Sequence, residues 1–286
     1  MDFAEKLEWI DKEYLSAYDA ITLDSAVKEQ AAFEKPKEIS FPYPIASSES
    51  LTDNTYLSYN TVVGNVLDKE LYLAFEVLEY ALLNAPGAPL KKALIDAGIG
   101  KDIMGSYDNG IYQPIFSIIA KNANEEQKEE FLSVIRNVLE DCVKNGISKK
   151  SLLAGINSME FKFREADFGA YPKGLMYGLQ CLDSWIYDEK EPFMHIEAIE
   201  TYAFLKEQTK GRYFEELVQK YLLDNTHVSV VITKPQKGLN AENEKALEEK
   251  LAAYKAMLSK EEIDSLIADT RHLKEYQEEP SPKEDL

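Results

Sequence analysis

The sequence predicts an α+β fold: a mainly antiparallel sheet with helices packed on one face, followed by an α-helical hairpin. Three observations lead there. Strand-like and helix-like segments follow one another in the order β-β-α-β-β-α-α, then several helices, then a last strand. Asp108-Asn109-Gly110 separates two strand-like runs and is a good hairpin turn. Leu71, Phe75, Leu78 and Leu82 recur at helical steps, with Ala74, Val77 and Ala81 widening the stripe. So wide an apolar face needs cover on several sides, which marks a central core helix.

Residues 2–19 read as an amphipathic helix with Leu7, Ile10, Tyr14, Leu15 and Tyr18 on one side. The stretch to Lys37 is polar and has no period. Glu38–Ile45 and Thr55–Val63 are strand-like, and Pro42 and Pro44 put the first at an edge or end it early. After the central helix, Pro86-Gly87 is a break. A short helix follows with Pro89 in its first turn and Leu90, Leu94 and Ile95 inward, ended by Gly98 and Gly100. Lys101–Tyr107 and Ile111–Ala120 are the strands of the hairpin.

Asn124 caps a surface helix that runs to Asn145 and stops at Gly146, with Phe131, Val134, Ile135, Val138, Leu139 and Cys142 as its buried stripe. Ser148 starts another, to about Ala166, burying Leu152, Ile156, Met159 and Phe163. Helices near Gly174–Tyr187, Ile196–Lys206 and Arg212–Leu223 lead to a β-branched strand, Val228–Thr233. Pro235-Gln236-Lys237-Gly238 is a linker. Beyond it, Leu247, Leu251, Tyr254 and Leu258 face Ile263, Leu266, Thr270 and Leu273 across a hairpin seam, the second helix starting at a Ser259-x-x-Glu262 capping box. The polar tail from Gln277 to Leu286 is expected to be disordered.

Composition bounds the function. At 286 residues, with 45% hydrophobic and 11% aromatic residues, the chain can hold one large or two modest domains with a real core. The net charge of −19, from 51 acids against 32 Lys plus Arg, argues against nucleic-acid binding. It suits a cationic peptide ligand or simply a soluble acidic surface. No apolar run approaches the roughly 18 residues of a membrane helix, and MDFAEKLEW lacks the apolar core of a signal peptide. The two cysteines, Cys142 and Cys181, read as small core hydrophobes. No disulfide framework is expected, which suits a reducing compartment, and the expected location is cytoplasmic.

No self-contained catalytic constellation emerges. His195, His227 and His272 share no ligand spacing and read as surface or structural histidines. Gly98-x-Gly100 lacks the third glycine of a dinucleotide fingerprint, and there is no nucleophile elbow or phosphate loop. Arg164-Glu165 reads as a solvated or locally paired motif. An independent Asp/Glu hydrolase has no motif support.

Several segments carry a resemblance. Gly87-x-Pro89-Leu90-x-x-x-Leu94-x-x-x-Gly98-x-Gly100 follows the central helix, and Phe41-Pro42-Tyr43-Pro44 precedes it. Asn157-x-x-Glu160-Phe161-x-x-Arg164-Glu165 is followed by Gly169-x-x-Pro172-x-Gly174-Leu175, and Ser259 to Pro282 closes the series. In order and spacing these resemble the second domain of the insulinase-type (M16) zinc peptidases and the helical hairpin that links their halves. The nearest branch is the presequence-protease type (M16 subfamily C), which includes falcilysin-like enzymes.

The resemblance implies three regions. Residues 1–37 would be the terminal helix and linker of a preceding catalytic domain, 38–235 a non-catalytic M16 α+β domain, and 236–286 the hairpin linker and tail. It implies zinc in the parent enzyme and none in this chain, with the remaining domains and unfolded peptides as partners. The first domain of the family carries His-x-x-Glu-His on the corresponding early helix; here Glu76 and Tyr80 stand in the histidine positions and Glu79 in that of the base. The helix is then either a metal-free relative of the catalytic one or an ordinary helix with exposed glutamates. On this reading the chain forms chamber wall and hinge and is inactive by itself. The alternative is a stand-alone non-catalytic peptide-binding or scaffold protein.

Overall fold

Strands β1 (Lys37–Ile45), β2 (Thr55–Val62), β3 (Asp102–Asp108), β4 (Ile115–Ala123) and β5 (Val228–Lys237) join in one sheet in the order β1-β5-β2-β4-β3. The computed structural model describes residues 2–19, 21–22 and 24–281. All pairings are antiparallel except β1 with β5, which run parallel. Side chains alternate as a pleated strand requires. Leu57, Phe116, Ile118, Ala120, Val230 and Ile232 are buried, while Ser58, Asn60, Ser117, Ile119 and Val231 between them are only partly so. Pro42 and Pro44 lie on β1, an edge strand, where a missing donor breaks no ladder.

The helices are α1 (Phe3–Glu13), α2 (Lys69–Glu79), α3 (Pro89–Asp96), α4 (Lys128–Asn145), α5 (Lys149–Glu165), α6 (Lys173–Trp185), α7 (Ile199–Gln208), α8 (Tyr213–Val218), α9 (Leu239–Met257) and α10 (Lys260–Glu278). Helix α2 is central, as its stripe predicts. Asp68 caps it, its carboxylate accepting from the Leu71 N–H at 2.9 Å. It buries Leu71, Tyr72, Leu73, Ala74, Phe75, Val77 and Leu78. Each large apolar side chain so buried contributes about 1.5–3 kcal/mol.

The helix then widens into a π turn over Tyr80–Asn84, where the Ala85 N–H donates to the Tyr80 carbonyl at 2.7 Å. Leu82 and Leu83 stay buried there and complete the core contact with the sheet. Gly105 of β3 permits this approach, since a β-carbon there would meet Leu83 Cδ1 at 2.7 Å.

Several expectations are corrected. The first helix stops at Glu13, before a 3-10 turn at Leu15–Ala17, and buries none of its residues. Ile95 is half exposed rather than inward, because α3 lies with Leu90 and Leu94 on its covered side. The hairpin loop is longer than the Asp108-Asn109-Gly110 turn: Asp108 pairs with Ile115, so β4 begins at Ile115 and not at Ile111. Met159 and Phe163 are only partly buried.

The expected linker at Pro235 is strand. Pro235, Gln236 and Lys237 pair with Tyr43, Pro44 and Ile45, and only Gly238, at φ +81°, breaks the chain before α9. The seam of the following hairpin is not closed. Leu247, Leu251, Tyr254, Leu266 and Leu273 are each about half exposed, and neither α9 nor α10 has a buried residue. The capping box is present, with the Ser259 N–H donating to Glu262 at 2.7 Å and the Glu262 N–H to Ser259 Oγ at 3.2 Å. Helix α10 continues to Glu278, so Gln277 and Glu278 are not tail, and residues 282–286 lie outside the described residues.

Candidate functional site

The segment Glu76–Tyr80 closes α2 and enters the π turn. Glu76 is part-buried, and its Oε1 accepts from Asn109 Nδ2 at 2.9 Å, which ties the β3–β4 loop to the helix. Burial pushes its carboxyl up to about 7, with Glu79 and Asp183 adding repulsion and the Asn109 hydrogen bond opposing. Glu79 is raised by burial as well, while its Oε1 accepts from Asn84 Nδ2 at 3.1 Å. Tyr80 lies on Gly155 of α5, where a β-carbon would sit 2.9 Å from its Cδ1.

Around these residues the fold gathers groups that no sequence spacing announced. Tyr72 donates its hydroxyl to Asp183 Oδ2 of α6 at 2.9 Å. Its ring stacks on His195, with centroids 3.8 Å apart and planes at 21°. Burial drives His195 down to about 4, although its hydrogen bond with the Val66 backbone favours the proton, and its Nε2 has no partner among the described residues. The Tyr107 hydroxyl is also buried without a partner among the described residues, and burial and the Glu76 charge push it above its ordinary range. The result is a part-buried acid on α2 with a second acid, two tyrosines and a neutral histidine nearby. It can hold a proton near neutrality. No set of three or more His, Cys, Asp or Glu side chains able to hold a metal occurs among the described residues.

The other motif residues lie apart from this cluster and serve the fold. Pro89 is the first residue of α3 and Leu90 is fully buried. Gly98 and Gly100 hold φ of +71° and +66°, and a β-carbon on Gly100 would meet the Lys121 carbonyl at 2.7 Å. Glu160 on α5 accepts from Arg164 Nε at 2.8 Å and from Lys206 of α7, which together hold its carboxyl below the usual range. Arg164 therefore pairs one turn back, with Glu160 and not with Glu165. Asn157 is exposed, Pro172 caps α6, and Gly174 follows in its first turn with open space around it. His227 is buried against Phe33, with ring centroids 4.5 Å apart, and His272 is exposed on α10.

A family model described as "Peptidase M16 inactive domain" matches residues 2–159. This chain belongs to the M16 peptidase family. A second model, for the segment associated with subfamily C of the M16 peptidases, matches residues 233–286 and places the chain in that branch. "Protein HypA" of Clostridium perfringens (strain 13 / Type A) is 43% identical over 285 residues, covering 100% of this chain and 29% of that protein. "Presequence protease 1, chloroplastic/mitochondrial" of Arabidopsis thaliana is 29% identical over 282 residues, covering 96% of this chain and 26% of that protein. The chain thus spans less than a third of the length of these relatives.

Among solved structures, a protease from Helicobacter pylori superposes with a TM-score of 0.59 at 12% identity, over 82% of this chain and 53% of that one. The peptidase M16 inactive domain from Pseudomonas fluorescens gives 0.53 at 14% identity, over 82% and 51%. These likenesses establish an M16-type α+β fold.

The zinc of M16 peptidases does not fit the residues present here. Glu76 and Tyr80 bring no imidazole, the Glu76 carboxylate is engaged by Asn109, and Tyr80 is packed on Gly155. Among the described residues no helix is long and apolar enough to cross a membrane.

Proposed function

We propose that this chain is the non-catalytic second domain of a larger zinc-dependent oligopeptidase of M16 subfamily C, forming chamber wall and hinge. Residues 1–37 are the end of a catalytic domain, 38–235 the inactive domain, and 236–286 the connection to the other half. The observation that carries the reading is Glu76–Tyr80: this segment, which the family resemblance aligns with the zinc motif, has a glutamate at 79 and no imidazole at 76 or 80. Apolar faces without cover support it further. Leu7, Ile10 and Leu15 near the N-terminus, and Leu247, Leu251 and Leu266 near the C-terminus, are all at least 40% exposed, as expected where neighbouring domains pack.

The partners on this reading are the remaining domains and unfolded peptides, with zinc bound elsewhere in the parent protein and the cytoplasm as its location. The net charge of −19 suits cationic peptides.

Detection of the native polypeptide with an antibody against this chain tests the proposal. A species several times heavier than 32.5 kDa that contains zinc and cleaves peptides is expected. A native, zinc-free species of this chain's own mass would overturn it in favour of a stand-alone scaffold.

A further inference from the structure

The chain holds two Asn-Gly pairs, Asn109-Gly110 and Asn145-Gly146. A glycine after asparagine leaves its backbone nitrogen unshielded by a β-carbon, free to bend toward the side-chain amide. The structure treats the two pairs differently. The Gly146 N–H donates to the Cys142 carbonyl at 2.9 Å, which fixes its nitrogen in the last turn of α4. The Gly110 N–H has no hydrogen-bond partner among the described residues, and Gly110 is exposed in the loop between β3 and β4. Only Asp183 Oδ1 and Asp108 Oδ1, at 3.8 and 4.0 Å, come near the position its β-carbon would take. Asn109 Nδ2 meanwhile lies 2.9 Å from Glu76 Oε1.

The geometry points to Asn109 as a site of spontaneous deamidation, with Glu76 as the acid beside the departing nitrogen and Asn145 as its protected counterpart. The Gly110 nitrogen attacks Asn109 Cγ and gives up its proton to solvent. The N–Cγ bond forms, the Cγ–Nδ2 bond breaks, and Nδ2 leaves as ammonia with a proton supplied by protonated Glu76. Water then opens the cyclic imide at either carbonyl to give aspartate or isoaspartate. Water is the only co-reactant, and nothing is oxidised or reduced. Burial holds part of the Glu76 population protonated at neutral pH, which supplies that proton.

The product replaces a donor by a carboxylate facing Glu76, beside Asp108 and Asp183. Like charges in a part-buried site repel, and the side-chain tie from Asn109 to α2 is lost.

The test is prolonged incubation of the full chain at neutral pH, with peptide mapping of both pairs and enzymatic labelling of isoaspartate. Conversion at Asn109 severalfold faster than at Asn145 is expected in the folded chain, with similar rates in the denatured chain. Glu76→Gln should slow conversion at Asn109, and Gly110→Ala should slow it further. The melting temperature of Asn109→Asp should fall below that of the wild type. Equal protection of both pairs in the folded chain would overturn the site. An unchanged rate in Glu76→Gln would overturn the role of Glu76, and an unchanged melting temperature in Asn109→Asp would overturn the consequence.

Discussion

Gly155 of α5 gives Tyr80 its place: a β-carbon at 155 would lie 2.9 Å from Tyr80 Cδ1. On the proposed correspondence with the M16 zinc motif, a position that would need an imidazole is therefore filled by a phenol ring packed on a neighbouring helix. In Gly155→Ala the gain in helix propensity, about 1 kcal/mol, is outweighed by overpacking that costs about 1–3 kcal/mol. A net loss of about 1 kcal/mol is expected in denaturant unfolding. In a Tyr80→Ala background the same substitution should turn stabilising. A loss of equal size in both backgrounds would show that the two residues do not touch.

Glu76 makes stability depend on pH. Its folded carboxyl sits at about 7 against 4.5 for the free side chain, so the folded state binds the extra proton. Its contribution is fully present below about pH 4.5 and is lost as pH rises through 7. His195 works in the opposite sense: held down to about 4 against 6.5, it favours folding above 6.5 and loses that contribution as pH falls. The two slopes oppose each other over much of the same range, so the wild-type profile alone cannot separate them. The difference between wild type and Glu76→Gln can. The variant should gain roughly 2–3 kcal/mol relative to wild type between pH 5 and 8. A flat difference would contradict the burial of this carboxyl.

The Glu160–Lys206 pair joins α5 to α7 with Glu160 only 13% exposed. Lys206→Ala should cost about 1 kcal/mol and release the Glu160 carboxyl toward its ordinary range. NMR titration of the Glu160 side chain is the measurement. An unshifted, still-depressed carboxyl would assign its stabilisation to Arg164 alone.

The two C-terminal helices have no buried residue, and helices of this length are marginal without packing. Their amides should exchange far faster than those of α2 in the wild-type chain. Leu251→Asp, at a half-exposed position, should cost less than about 0.5 kcal/mol. Slow exchange in α9, lost on that substitution, would show instead that the seam closes in solution.

Much of the fold is legible in the sequence because local chemistry and tertiary packing agree. The α2 stripe, the Ser148 cap, the Pro89 start of α3 and the Ser259–Glu262 box are where their residues put them. The failures have physical causes. Pro235 reads as a break, but β2 pairs with β5 only as far as Thr233, so beyond it β5 has β1 on one side alone and tolerates a residue without a donor. Ile111–Pro114 is apolar enough for a strand, yet its loop runs past Tyr187, whose ring lies 4.9 Å from that of Tyr112.

The proposed match of Glu76, Glu79 and Tyr80 to the zinc motif rests on the family resemblance alone. Asp183 and His195 were not legible at all as its neighbours. They lie more than a hundred positions along the chain, and packing of the 173–198 region against α2 brings them in.

The most direct test of the central claim is zinc content and peptide cleavage of the purified chain after equilibration with zinc and dialysis. No stoichiometric metal and no hydrolysis are expected, because the Glu76–Tyr80 segment offers no imidazole and Glu76 is engaged by Asn109. One tightly held zinc per chain, lost in Glu76→Gln together with a peptidase activity, would contradict it.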